Sequence, residues 1–330
     1  MMTLDPSCAL VHCPHMESLK RVSRFGSDPV LNDVGRPVHA VMTERQARLL
    51  EFLERNRYAT FDDIHAYLRG DPTALRYTIR VLKAKPNCFI KVCDQHAEER
   101  NLRRKLVYEL DKRGIEHLRR NGKIIPDRTY VRNFTHAALA SHATASIEAG
   151  ITSAPSAGLI SWAEILSSQN MPAATRRLEH PAGMRTAYDV DGVVYEKTVR
   201  ADSPPFGIVL TFDDRKKFRF FPGIEADMGT EPIAITNFER TSIFSKFKAY
   251  LAIEANETYR AHFGFPVFFV PFVTTSASRM HSMMDELDRI TGGRGSRTLI
   301  FKVASRDGAP GYLFDEPWQR VGYEPIILSK

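Results

Sequence analysis

The stretch FRFFPGIEADMGTEPI, Phe218 to Ile233, ends an aromatic run on two carboxylates one residue apart, Glu225 and Asp227. Residues two apart in an extended strand share a face, so both acids project together. Asp202, in RADSPPFGI, sits at the start of a strand that can neighbour theirs. Three converging carboxylates form an oxygen-rich site for a hard divalent cation such as Mg2+ or Mn2+. Downstream, SIFSKFKAYLA places Lys246 and Tyr250 at i,i+4 spacing on one helix face, with Lys248 on another. A lysine beside a bound ion can orient an attacking water or stabilise charge on a phosphate. The competing use is structural, with Glu225 and Asp227 paired to Arg219, Arg240 or Lys246.

These residues need a sheet and a flanking helix to hold them. FTHAALASHATASIEAG reads as a helix carrying His136, His142 and Glu148, the histidines as capping or half-buried groups rather than ligands. GLISWAEIL, ADSPPFGIVLTF and KFRFFPGIEAD read as strands. SIFSKFKAYLAIEANETYRAHFG reads as a helix, FPVFFVPFV as a buried strand, SRMHSMMDELDRITGG as a helix and SRTLIFKV as a last strand. The expected order is α-β-β-β-α-β-α-β, a mixed sheet with flanking helices. Ser167 to Lys197 carries little readable pattern.

The first part of the chain has a different grammar. TERQARLLEFLERNRYAT has apolar residues at Ala47, Leu50 and Leu53, with Thr43 as N-cap and Gln46 completing a capping box. TFDDIHAYLRG is a second short helix. DPTALRYTIRVLKAK is a third, with Asp71 as N-cap, Pro72 in the first turn and Leu75, Ile79 and Leu82 on its buried stripe. Two strand-like pieces, CFIKVC and KLVYEL, follow around a charged loop. Three helices and then a hairpin is the winged-helix order, in which the third helix enters the major groove. Off its stripe lie Arg76, Tyr77, Arg80 and Lys83, and the hairpin loop adds Arg100, Arg103, Arg104 and Lys105 as phosphate contacts.

Charge agrees with that division. Met1 to Thr135 holds 25 Lys and Arg against 17 Asp and Glu, whereas the remainder holds 21 against 22, giving +8 and −1 within a total of +7. A basic excess confined to one part suits a polyanionic partner, double-stranded DNA. The expected division is a flexible arm over 1–37, a winged helix over 38–122 and a mixed-sheet domain over 123–330, α+β or α/β in class.

The second half resembles the PD-(D/E)XK nuclease fold, where an aspartate on one strand and Glu-x-Lys on the next hold the metal. The resemblance puts Asp202 and Glu225 in the metal-binding places and Asp227 where the lysine should stand. Lys246 then supplies the ammonium from the following helix, and Glu148 is the carboxylate that the preceding helix can add. Across most of the chain, the winged helix, THAALASHATASIEAG, Glu225-x-Asp227-x-Gly229-Thr230-Glu231 and Lys246-x-x-x-Tyr250 together resemble the bacterial replication-relaxation family. That resemblance implies a role in plasmid or mobile-element replication, DNA relaxation or mobilisation, with replication or mobilisation proteins as partners and a homodimer as one assembly. The rival reading is a winged-helix transcriptional regulator whose second domain is an inactive oligomerisation, ligand-binding or partner-binding module.

The totals exclude some classes. The composition, 43% hydrophobic and 26% charged, is that of a globular protein, and no stretch approaches the roughly 20 apolar residues of a membrane helix. MMTLDPSCALVHCPH lacks a basic segment leading into an apolar core, so a cytoplasmic location is expected. Cys8 and Cys13, and Cys88 and Cys93, lack the two-residue spacing of a zinc knuckle and read as free thiols.

Overall fold

The computed structural model describes residues 28–93, 105–123, 134–213, 215–233, 242–304, 309 and 311–330. Most of the expected arm, the loop bearing Arg100, Arg103 and Arg104, and Arg240 lie outside the described residues. The chain is a mixed α+β protein. Among the described residues no helix is long and apolar enough to cross a membrane.

In the first half, α1 (Glu44–Asn56) starts on the expected capping box, with Thr43 and Gln46 each satisfying the other's backbone N–H. After β1 (Ala59–Thr60), α2 (Phe61–Leu68) starts on a second box, Thr60 with Asp63. In α3 (Pro72–Lys83), Asp71 accepts from the Thr73 and Ala74 amides and Pro72 stands in the first turn, where a missing N–H costs nothing. Leu75, Ile79 and Leu82 are buried, as their spacing requires. β2 (Ile90–Val92) and β3 (Val107–Leu110) pair antiparallel, and β1 joins β3 to give the order β1-β3-β2. Helix α4 (Lys112–Arg120) closes the unit.

Helix α5 (Phe134–Ser153) is buried on nearly every side, which its small, apolar residues permit. It lends Ala145 to the core of the first half, and Ala140, Ala143, Ile147 and Ile151 to the core of the second. Polar links fasten α5 to the first half: His142 Nδ1 lies 2.7 Å from Asp63 Oδ1, Glu148 meets Arg55 and Asn56, and Arg69 donates to Ser153 Oγ.

The second half continues with β4 (Ala157–Ile160), α6 (Trp162–Ser167), α7 (Ala173–Arg176) and a hairpin of β5 (Met184–Val190) and β6 (Val193–Val199). GLISWAEIL is therefore not one strand. Ser161 and Glu164 form a capping box that turns the chain into α6 after β4. Next come β7 (Phe206–Phe212), β8 (Arg215–Phe221) and β9 (Glu225–Asp227). The helix expected from Ser242 to Gly264 breaks into α8 (Ile243–Ala255) and α9 (Thr258–Phe263), where Glu257 takes a positive φ of 50°. β10 (Val270–Thr274), α10 (Ala277–Thr291), β11 (Leu299–Val303) and α11 (Tyr312–Asp315) complete the order.

β4, β7 and β8 form an antiparallel sheet, and β9, β10 and β11 a parallel one. β8 and β9 are consecutive pieces of one strand interrupted around Gly223, and the Phe269 amide donates to Phe220 O at 2.8 Å across the junction. Gly223 is obligatory there: its φ is 127°, and a Cβ would stand 2.3 Å from Ser203 O. Alternation then sorts the faces. Phe220, Phe272 and Phe301 face α8 and α10, whereas Phe221, Ala226, Val273 and Ile300 face the α5 side.

Candidate functional site

Ala226 points to the α5 face, so Glu225 and Asp227 both point to the face covered by α8 and α10. The sequence pattern required this. Their partners separate them. Glu225 Oε1 accepts from the Tyr250 hydroxyl at 2.6 Å, and Oε2 lies 3.0 Å from Lys246 Nζ. One turn of α8 thus aims both Lys246 and Tyr250 at one carboxylate. Asp227 instead receives a two-pronged contact from Arg279 of α10, with Nε 2.7 Å from Oδ2 and Nη2 3.0 Å from Oδ1. Thr274 Oγ1 adds a 3.3 Å contact to Oδ2. Asp227 is buried and paired with Arg279 rather than with the lysine.

Asp202 does not lie within β7 but four residues before it, in the turn that packs on the Gly223 kink. Its amide donates to Ile224 O at 2.9 Å, and its Oδ2 accepts from the Ala226 amide at 2.8 Å. Ser203 Oγ accepts from the Ile224 amide at 2.8 Å and fixes the same turn. Asp202 is exposed as a residue, while its carboxylate is tied to β9 through the Ala226 amide. Desolvation of the carboxylate there first, and the Glu225 charge second, push its pKa up to about 7 despite the pull of Lys246.

Lys246 is the hub. Its Nζ lies 3.0 Å from Glu225, and 3.3 and 3.2 Å from the two oxygens of Glu231. Burial alone would lower its pKa, but the charges of Glu225, Asp202 and Glu231 outweigh burial and raise it. Tyr250 is fully enclosed; burial and the adjacent Glu225 charge drive its pKa well above the usual phenol value, so it donates as a neutral hydroxyl. Glu225 Oε2 and Glu231 Oε2 are both buried and receive no well-directed hydrogen bond. A charge contact without a directed N–H leaves lone pairs to spare.

Sequence reading missed part of this constellation. Lys197, from the poorly patterned segment, reaches in from β6 and donates to Ser245 Oγ at 2.9 Å. Burial lowers its pKa, with Glu225, Lys246 and Glu231 close enough to act on it. The hairpin that delivers Lys197 turns at Asp191-Gly192, with φ of 53° and 83°, a pairing that marks tight hairpins and was available in the sequence. Glu231 stood in the recognised motif without a role, and Arg279 was not singled out.

The structure does not bring Glu148 to these acids. It lies on α5, across the sheet, where Oε1 accepts from Arg55 Nε at 2.9 Å and Oε2 from Asn56 Nδ2 at 2.7 Å. Its role is to fasten α5 to α1. Arg219 is also elsewhere: buried, it donates to the carbonyls of Ile327 and Leu328 at 2.7 and 2.8 Å. His136 Nε2 lies 3.2 Å from Thr230 Oγ1, and His142 bonds Asp63. On the first half, Arg76, Tyr77 and Arg80 are exposed on α3, with Arg76 over the Phe61 ring and Arg80 over the Tyr77 ring. Lys83 is half-buried and its pKa is lowered by burial, while Lys105 pairs with Asp62 at 2.8 Å.

Among the described residues, no three His, Cys, Asp or Glu side chains form a ready cage for a metal. What converges is Asp202, Glu225 and Glu231 around Lys246, with Lys197 and Tyr250 at the margins. No family model, curated protein or solved structure matches the chain.

Proposed function

We propose that this chain is a double-stranded-DNA-binding protein of the replication-relaxation type, with a winged helix ahead of a PD-(D/E)XK-like domain that hydrolyses phosphodiesters with Mg2+ or Mn2+. The observation that carries the reading is the meeting of Asp202, Glu225 and Lys246 at the β8–β9 kink. These residues come from a turn, a strand and a helix separated by more than twenty positions each way, and a plain polar surface needs no such meeting.

The donor set suits a hard divalent ion. Mg2+ is usually held by one or two carboxylates plus water and substrate phosphate, so a complete protein cage is not required. The buried Glu225 Oε2, met by the Lys246 ammonium, supplies one acceptor, and the Asp202 carboxylate is near enough to feel its charge. When bound, the ion would polarise a phosphoryl oxygen and lower the pKa of its water. The chain's own groups do the positioning: Tyr250 holds Glu225, the Ala226 amide holds Asp202, and Lys246 can stabilise charge on the phosphate. On the first half, exposed Arg76, Tyr77 and Arg80 would meet the groove and its phosphates.

Supercoiled plasmid incubated with the chain and Mg2+ or Mn2+ is the test. Nicking is expected, and Glu225→Ala should lose it while still binding duplex DNA. Replacing Arg76 and Arg80 with alanine should weaken binding and reduce its salt dependence by about one unit of slope for each phosphate contact removed. One observation favours the rival reading: Lys246 and Arg279 already neutralise the two strand acids. Tight metal-independent DNA binding with no nicking would leave the second half as the docking module of a regulator.

A further inference from the structure

The Glu225 carboxylate is 2% exposed, and its Oε2 faces the Lys246 ammonium at 3.0 Å without a directed hydrogen bond. Glu231 Oε2 is in the same state at 3.2 Å. The ammonium also meets Glu231 Oε1, at 3.3 Å. Lys246 thus sits among three oxygens of two acids and neutralises the cluster from their midst. A magnesium-sized ion on a carboxylate oxygen sits at roughly 2.0–2.1 Å and draws further oxygens close around it. An ammonium 3.0 Å from the same oxygen fills that space.

We infer that Lys246 is the resident cation of this cluster and competes with a divalent ion for Glu225. The inference rests on the metal-dependent reading above and deepens it, because it sets the order of events. Glu225 would be able to hold an ion only once the Lys246 ammonium has moved off its Oε2. The released ammonium stays within reach through Glu231, at the rim of the cluster with 20% of its side chain exposed. Lys197, bonded to Ser245, stands beside the same acids as a second amine. A lysine that served only to stabilise charge on a phosphate would repel the ion through space, and its removal would raise metal affinity modestly whether or not Glu225 is intact. Removing a resident competitor should raise it by more, and only through Glu225.

The test is Mn2+ binding by the full chain without DNA, followed through the electron paramagnetic resonance of the free ion. Lys246→Met should bind Mn2+ at least tenfold more tightly than the unaltered chain, and the double variant Glu225→Gln with Lys246→Met should lose that gain. Equal or weaker binding by Lys246→Met overturns the inference. Because loss of a buried cation can impair folding, the unaltered chain provides a second arm. Reactivity of Lys246 toward an amine-acylating reagent, read by mass spectrometry, should rise severalfold at saturating Mg2+, and unchanged reactivity overturns the inference equally. Nicking distinguishes the two readings: exchange without nicking sinks the nuclease and leaves the competition standing.

Discussion

Buried carboxylates lie on both sides of the sheet, one on helix α5 and the others on the strand β9, and they are treated in opposite ways. On the α5 face, both oxygens of Glu148 are engaged, one by Arg55 and the other by Asn56. On the α8 face, Glu225 has one oxygen held by Tyr250 and shares a single ammonium with Glu231, next to an aspartate whose pKa is pushed up to about 7. Asp227, two residues along the same strand, is matched by the planar fork of Arg279. An acid that joins structural elements is fully satisfied by a geometrically suited partner. Glu225 is crowded by like charge and must share its one ammonium with a second acid, which is the arrangement that functional sites tolerate and structural ones avoid.

The largest effect should come from breaking a satisfied pair. Arg279→Met would leave Asp227, 1% exposed, as a buried charge without its fork. Breaking one side of a buried pair typically costs about 3–5 kcal/mol, and this pair should lie near the lower end because the Arg279 side chain is 18% exposed. Urea unfolding measures it. A loss below about 1 kcal/mol would show that Asp227 is not held in the way its geometry implies.

The direct contrast is Glu148→Gln against Glu225→Gln. The first removes the charge from Arg55 and turns an amide donor toward either Arg55 or Asn56, so a loss of about 2–3 kcal/mol is expected. The second forfeits attraction to Lys246 but relieves repulsion from Asp202 and Glu231. These terms oppose, and the net change should stay within about 1 kcal/mol. Equal losses in the two variants would remove the distinction between a fastening acid and a frustrated one.

How much of this was written in the sequence depends on the range of each interaction. The capping boxes at Thr43 and Ser161, the Asp71-Pro72 helix start and the shared face of Glu225 and Asp227 are set within a few residues by backbone geometry. The Ser161–Glu164 box and the Asp191-Gly192 turn are equally local signals, the one ending β4 and the other closing the β5–β6 hairpin. Partner choice is another matter. Asp227 meets Arg279 fifty-two positions later, and Glu148 meets Arg55 ninety-three positions earlier. No periodicity encodes such pairings, because they are fixed by which strands cross over and which helix covers each face. Lys246 was reachable because α8 follows β9 directly, and its spacing to Tyr250 marks one face. Lys197 was not, because its hairpin is inserted between β4 and β7 and returns to the site from outside the central sheet.

The smallest expected effect concerns Asp202 and pH. An aspartate ordinarily titrates near 3.9 in an unfolded chain, and here enclosure and the Glu225 charge push the folded value up to about 7. Below about pH 4 both states hold the proton, and the group contributes nothing to the balance. Between about pH 4 and 7 the folded chain keeps a proton that the unfolded chain has released, so stability must fall as pH rises through this window. Above it the cost is fully present. Lys246 does not confuse the result, since its raised pKa contributes stability that is lost only at pH values well above the window. Asp202→Asn cannot titrate, so it should flatten the fall between pH 5 and 8 and match or exceed the stability of the unaltered chain at pH 8. The exposed flank of Asp202 admits solvent screening, which keeps the gain below about 1 kcal/mol. Paired urea unfolding curves at pH 5 and pH 8 give the comparison. A difference between the two chains that shrinks toward pH 8 would mean that Asp202 is solvated like an ordinary surface acid, and the crowding around Glu225 would then be confined to Glu231.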